Sequence, residues 1–458
     1  VNYSSAYLNP KDKIMLKNYF KLAIKVLGRR KFFTFISLFG ISFTLMILMV
    51  TAAFLNNELG DGRPLSEKDK MIMLNRLTMK KIETDTIPQV DSTMLDGQMR
   101  YDTTYTYSDR NSSTSISSLS FPFLDKYMQG IDGVERQTVF ATDVNFDVFI
   151  NNNKLSLEAI YTDASYWQVF DFKLLEGRTY LPTAVKNQEQ VMVITDKTAR
   201  SYFGKEEGVI GEYLVLDGKN YEVIGVIETP RRRFSGVVAD VYLPYTNMSS
   251  RDLSTESYHG AFRAVFLATR PQTRDRIKAD IIRKTALIPL PNPEEYNFLE
   301  VAPMNYGEAY AVGVFFRQDP QKSYQLVFGA IFGLLILFVL LPTLNLVNVN
   351  ISRILERASE IGVRKAFGAH SGNILFQFIF ENIILTFLGG IVGYILALIL
   401  ISIINGSNVL GEVQLQFDGM VFLYSLLIIL TFGVISGLIP AWRMSKLQIA
   451  NALKQNQL

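Results

Sequence analysis

Hydrophobic and polar positions follow two regimes along this chain. In four places mostly apolar residues run on without a charge, and between the first two of these they alternate with polar residues over a long stretch. The unbroken runs are residues 32–55, 326–347, 382–404 and 420–440, of 24, 22, 23 and 21 residues, with 374–381 extending the third at its start. A hydrocarbon core needs about 20 apolar residues per helix, so each run predicts a transmembrane helix. Helices buried in a soluble core are shorter and keep a polar face. The first run is also longer than the roughly 7–15 residues of a signal-peptide core, and 31 residues precede it. It predicts an uncleaved anchor.

Between the first and second runs, 56–324 reads as a folded α+β block. Residues 137–150 and 155–161 alternate as strands around Asn151-Asn152-Asn153, and 212–216 and 221–227 flank Asp217-Gly218, a two-residue hairpin signal. Further strands are expected at 191–194, 241–243, 264–269 and 298–301, and helices at 121–129, 196–203 and 273–287. Residues 101–120 contain fourteen Ser, Thr or Tyr and read as an exposed, mobile excursion rather than core. Arg231-Arg232-Arg233 reads as a solvated turn after a strand.

Charge orients the chain. Residues 11–31 carry eight basic groups against Asp12, the segment 348–373 carries Arg353, Arg357, Arg364 and Lys365 against Glu356 and Glu360, and the tail carries Arg443, Lys446 and Lys454 with no acid. Short basic segments stay in the cytoplasm, which places both termini and 348–373 inside. The block 56–324 is then outside, with 31 basic and 37 acidic groups. The layout expected is a cytoplasmic segment 1–31 with a basic amphipathic helix, spans at 32–55, 326–347, 374–404 and 420–440, a coupling segment 348–373, a short outer loop 405–419 and a tail 441–458. The fold class is a polytopic α-helical membrane protein with four transmembrane helices and a large α+β extracytoplasmic domain between the first and second.

Composition removes most enzyme classes. The 458 residues include no cysteine and two histidines, at a net charge of +3. Thiol nucleophiles, disulfides and thiolate metal sites are excluded, and the charge gives no argument for nucleic acid. His259 falls outside and His370 inside, so they cannot share a metal. No Gly-x-x-x-x-Gly-Lys-Ser/Thr phosphate loop occurs: Gly204-Lys205 is followed by Glu206 and Gly218-Lys219 by Asn220. Candidate nucleophile, base and metal groups do not converge, and no catalytic, cofactor or metal residue is expected.

Several local strings stand out. The coupling segment contains Glu360-Ile361-Gly362-Val363-Arg364-Lys365-Ala366-Phe367-Gly368-Ala369, the third span contains Gly389-Gly390-Ile391-Val392-Gly393, and the fourth ends Gly437-Leu438-Ile439-Pro440-Ala441-Trp442-Arg443. In the outer block, Phe170-Asp171-Phe172, Glu176-Gly177-Arg178, Tyr221–Ile227 and Val241–Pro244 follow in order. Together with the layout, these strings resemble the membrane subunits of MacB/FtsX-type ABC transporters, a group that includes the lipoprotein-releasing permeases. The chain departs from some MacB-type proteins in carrying no nucleotide-binding domain.

That resemblance implies a permease powered by an ABC ATPase subunit in trans, which would hold ATP and magnesium. The segment 351–369 would dock on it through Arg353, Arg357, Glu360, Ile361, Gly362, Val363, Arg364, Lys365 and Gly368. The bland alternative is a basic segment lying on anionic lipid. Gly389, Gly390 and Gly393 would let helices approach closely, either between subunits or within one. Glu381 reads as a structural anchor, by snorkelling or a salt link to Arg443 or Lys446, in preference to a proton-coupling site, and Pro342 as a kink, a hinge or a lipid accommodation.

Four spans are too few for a transport core, so a second permease chain, identical or different, is expected in the bilayer. The mechanism implied is mechanotransmission, in which ATPase closure moves the bundle and the outer domain. Export of drugs, peptides or other periplasmic substrates is the first output, with an adaptor and outer-membrane duct as further partners. Lipoprotein release, control of a cell-wall hydrolase and a non-transporting sensor or scaffold are the alternatives.

Overall fold

The computed structural model describes residues 25, 28, 29, 31–60, 62–95, 98–150, 153–230, 236–315, 319–356, 363, 366–368, 370–407, 415–417 and 419–445. The chain divides into a helical unit, Val1–Gly60 with Phe328–Leu458, and an α+β unit, Asp61–Val327.

In the α+β unit, twelve strands share one sheet: β1 Met71–Leu95, β2 Gln98–Leu119, β3 Val134–Ile150, β4 Asn153–Thr162, β5 Leu174–Gly177, β6 Val191–Thr195, β7 Tyr213–Leu216, β8 Lys219–Ile227, β9 Val241–Pro244, β10 His259–Gly260, β11 Phe262–Ala268 and β12 Phe298–Asn305. Their order is β10-β2-β1-β11-β3-β4-β9-β6-β8-β5, with β12 on β1 and β7 on β8. β4–β9 and β6–β8 run parallel and the other pairs antiparallel.

Central strands show why these segments extend. Val191–Thr195 is β-branched apart from Met192 and buried at every position, the pattern of a strand covered on both faces. Asp217 and Gly218 both take positive φ, 47° and 73°, closing β7 onto β8 with the two left-handed residues of a type I′ turn. Four helices of the unit matter below. They are α1 at Phe121–Tyr127, α2 at Asp196–Phe203, α3 at Arg274–Thr285 and α4 at Tyr306–Phe315. The Thr195 hydroxyl accepts the Thr198 N–H at 3.2 Å to start α2, and Gly204, at φ 72°, ends it. Asn305 and Glu308 accept each other's backbone N–H at 2.9 and 2.8 Å at the head of α4, the reciprocal arrangement of a capping box. Ile277 and Ile281 of α3 join Phe262, Phe266, Leu74 and Val301 in one core.

The reading of 101–120 is corrected. The stretch is a strand rather than irregular chain: 98–119 forms β2, paired with β1 from Leu77↔Ser117 to Leu95↔Gln98, while 102–108 and 110 are exposed as expected. Ser, Thr and Tyr suit a half-solvated pleated strand, and low hydrophobicity keeps that strand from showing in the pattern. Its far end is core: Leu119 and Ser120 are fully buried. Asn151, Asn152 and Arg231–Arg233 lie outside the described residues.

In the helical unit the long helices are α5 Lys31–Leu59, α6 Pro320–Glu356 (begun in the α+β unit), α7 Ser371–Gly406 and α8 Gly419–Ser445. Among the described residues three stretches are long and apolar enough to cross a membrane: Thr34–Leu59, Pro320–Leu340 and Ile379–Gly406. Within α8 the described apolar stretch is the shorter Gly419–Ile428. The expected amphipathic helix before the first span lies outside the described residues, apart from Lys25, Gly28 and Arg29, which are helical.

Candidate functional site

The glycines of α7 have a defined counterface. Gly389 and Gly393 are one turn apart and share a helix face. A Cβ on Gly389 would sit 2.6 Å from Ile41 Cγ2 and 2.8 Å from its Cβ; one on Gly393 would sit 2.7 Å from the Ser42 carbonyl oxygen and 2.9 Å from Leu45 Cβ. The small residues therefore receive α5 of the same chain. Because the later glycine meets the later residues of α5, the two helices run parallel. Gly390 faces the other neighbour, its Cβ position 2.9 Å from Leu426 Cδ1 of α8. Ile41, Leu45, Met49, Ile384, Leu385 and Ala397 complete the apolar seam.

Polar side chains line the bundle as well. Ser42 donates to the Leu38 carbonyl and Thr44 to that of Gly40 at 2.8 Å. Such back-bonding satisfies a hydroxyl in an apolar helix without a partner chain. Glu381, about two turns before Gly389, is 5% exposed and accepts a hydrogen bond from Gln377 Nε2 at 3.0 Å. Its expected salt link to Arg443 or Lys446 falls on side chains outside the described residues. Gln377, Ile41, Ser42 and Leu45 were not singled out from sequence. The serines and threonines of the first run, at 34, 37, 42, 44 and 51, were the available signal.

The coupling segment is described in part. Arg353 lies in the last turns of α6, and Val363 and Ala366 are helical and exposed. The Phe367 N–H reaches the Val363 carbonyl at 3.1 Å, and Gly368 takes φ 87°, the left-handed conformation that ends a helix. Phe367 is 89% exposed there. His370 then heads α7, accepting the Gly372 N–H through Nδ1. Arg357, Glu360, Ile361, Gly362, Arg364 and Lys365 lie outside the described residues. Pro342, Gly437 and Pro440 are inside helices that continue through them.

In the α+β unit the two glycine-bearing strings meet. β5 pairs β8 with Gly177 opposite Gly225, and the Arg178 N–H donates to the Ile224 carbonyl at 2.8 Å. A Cβ on Gly177 would overlap the Ile224 carbonyl oxygen, and one on Gly225 that of Arg178. These glycines serve a close crossing of two backbones. The Phe170 and Phe172 of the first string pack with Tyr166, Trp167 and Tyr242 in an aromatic cluster. Beside it the Asp163 carboxylate accepts from Thr138 Oγ1 at 2.6 Å and from the N–H groups of Val139 and Tyr166 at 3.2 and 3.0 Å. Burial pushes this carboxyl up to about 6 against the pull of those donors. The half-buried His259 ring is held down by desolvation, its Nδ1 facing Ser115 Oγ at 3.4 Å.

Among the described residues no group of three or more His, Asp or Glu side chains is placed to hold a metal. The features described are a packed helix seam, a glycine-ended connection and a large sheet.

Known proteins share this plan. The profile of the MacB-like periplasmic core domain matches residues 34–284, and that of the FtsX-like permease C-terminal domain matches 331–449. The macrolide export ATP-binding/permease protein MacB of Pasteurella multocida is 27% identical over 293 residues, 64% of this chain and 42% of that protein. The ABC transporter permease YknZ of Bacillus subtilis is 26% identical over 332 residues, 72% of this chain and 77% of that one. The crystal structure of the periplasmic region of MacB from Actinobacillus actinomycetemcomitans superposes at a TM-score of 0.32 with 14% identity, over 44% of this chain and 86% of that one. The chain spans under half the length of the MacB relative.

Proposed function

The chain belongs to the MacB/FtsX family of ABC transporter permeases, and on that premise we propose that it works as a mechanotransmission subunit with four transmembrane helices. A separate ABC ATPase supplies the stroke, and ATP and magnesium bind there. Residues 351–369 receive the stroke, the bundle moves, and the α+β unit outside the membrane changes its geometry. Export of drugs, peptides or other compounds already outside the inner membrane is the output that fits best, since one of the relatives named above is a macrolide exporter.

The observation that carries this reading is the parallel seam of α5 and α7. Two parallel spans must enter the bilayer from the same side. The chain between them therefore has to return once, which α6 does after the α+β unit. With the basic flanks inside, that unit lies beyond the membrane and both termini in the cytoplasm of a bacterial inner membrane. α6 has only 11% of its apolar window buried, against 39% for α5. Its remaining surface faces lipid or a second permease chain.

A pull-down of the full chain from its native membranes tests the reading. An ABC ATPase should copurify, hydrolyse ATP in the complex, and be lost when Gly362→Trp and Arg364→Glu are introduced together. Folded chain that captures no ATPase would refute it and favour a sensor or scaffold.

A further inference from the structure

β1 and β2 run on past the sheet as a two-stranded ribbon. β12 leaves β1 at Lys80, and the Asn297 side chain closes the ladder by accepting the Ile82 N–H at 2.8 Å and donating to the Ile82 carbonyl at 2.7 Å. From Ile82↔Asn111 to Leu95↔Gln98, among the described residues, the two strands form a ladder with each other and with no third strand, a length of about 45 Å. An isolated ribbon of this kind is marginal in water.

Asn297 also reveals which backbone groups point outward. Ile82 turns its N–H and carbonyl away from β2, so its rung is a non-hydrogen-bonded one, and rungs alternate from there without a shift. Pro88↔Tyr105 and Thr86↔Tyr107 are thus of the same kind as Ile82↔Asn111. On the free edge of β1 the position of Pro88 offers no N–H. On the free edge of β2, Tyr105 and Tyr107 present both N–H and carbonyl. One edge is blocked and the other is open.

Over 104–108 the open edge reads nearly the same in both directions: about Thr106, Tyr105 mirrors Tyr107 and Thr104 mirrors Ser108, while further out Asp102 and Arg110 sit at equal distances with opposite charge. All seven residues are exposed, Tyr105 at 59% and Tyr107 at 73%. We propose that β2 pairs antiparallel with β2 of a second copy of this chain, about a two-fold axis at Thr106. Tyr105 then exchanges backbone hydrogen bonds with the other copy's Tyr107, and the rings stand side by side. Thr106 faces itself across a non-hydrogen-bonded rung, and Asp102 faces Arg110 across another, where side chains approach most closely. Within one chain Arg110 already meets Glu83 at 3.2 Å and Asp85 at 3.6 Å. This pairing stands whether or not the chain transports anything.

The absence of cysteine makes the test direct. Thr106→Cys, Thr104→Cys and Ile87→Cys are made singly in the full chain and oxidised mildly in native membranes. Opposing Cα atoms at Thr106 would lie about 4.5 Å apart, within disulfide reach of about 4.4–6.8 Å. The two copies of Thr104, and the two of Ile87, would each be about 14 Å apart. A disulfide dimer from Thr106→Cys alone is expected, with its rate of formation reduced about tenfold when Asp102→Arg sets like charges opposite each other. A Thr106→Cys thiol that reacts with maleimide yet forms no dimer, equal dimer at all three positions, a cross-link from Thr106→Cys to a different protein, or a rate indifferent to Asp102→Arg would each overturn the proposal.

Discussion

Replacing Gly393 by alanine adds one methyl group where two helix backbones touch. Its Cβ would lie 2.7 Å from the Ser42 carbonyl oxygen and 2.9 Å from Leu45 Cβ. Neither atom can rotate away, because one is backbone and the other is bound to it. Restoring ordinary contact requires α5 and α7 to separate by about 0.6 Å, and overpacking of this kind costs about 1–3 kcal/mol. Between helices in lipid, close packing is much of what holds them, so little compensates for the separation. Gly333→Ala on α6 is the control, since a Cβ there meets nothing within 4 Å. It should stabilise the helix by up to about 1 kcal/mol. The two variants should therefore differ by ~2–3 kcal/mol, roughly a 30- to 160-fold difference in the folding equilibrium. Gly390→Ala should fall between them, because Leu426 Cδ1 ends a flexible side chain. Reversible unfolding in mixed micelles, followed by helical circular dichroism, measures this order. Equal stability of Gly393→Ala and Gly333→Ala would refute the packing argument.

Two further outcomes concern the α+β unit. Gly177→Ala combines φ 75° with an overlap on the Ile224 carbonyl, whereas Gly211→Ala meets only its φ of 83°; the first should cost at least about 3 kcal/mol and the second about 1–2, read as urea midpoints from Trp167 fluorescence. Similar midpoints would show that the crossing of β5 and β8 relaxes easily. The Asp163 carboxyl, raised from 3.8 to about 6, favours the folded state when protonated. That contribution is fully present below about 4, is lost as pH rises through 6, and amounts to about 3 kcal/mol. Asp163→Asn should remove this part of the pH dependence between about 4 and 6.5, and identical slopes for the two proteins would count against it.

Legibility varied with the kind of interaction. The coupling segment is recognisable as a string, and Gly368 as its stop, because a left-handed helix end is a local demand on one residue. The glycines of α7 are visible as a small face, but sequence leaves open what they receive; α5 lies more than three hundred residues away along the chain. Gly177 and Gly225 belong to two separate strings, and only the pairing of β5 with β8 shows that each exists for the other. The ribbon escapes a reading by pattern because hydroxyl-rich strands carry no hydrophobic period.

By itself, then, the sequence determined which stretches are apolar enough to cross a bilayer, which flanks are basic, and where Asp217-Gly218 must turn. These follow from the free energy of short segments in water or lipid, which depends on neighbours within a few residues. The tertiary structure alone decided that twelve strands form one sheet, that 98–119 is one of them, and that α5 lies parallel in the groove of α7. Those outcomes rest on contacts between distant segments, whose energy appears only once both surfaces are brought together.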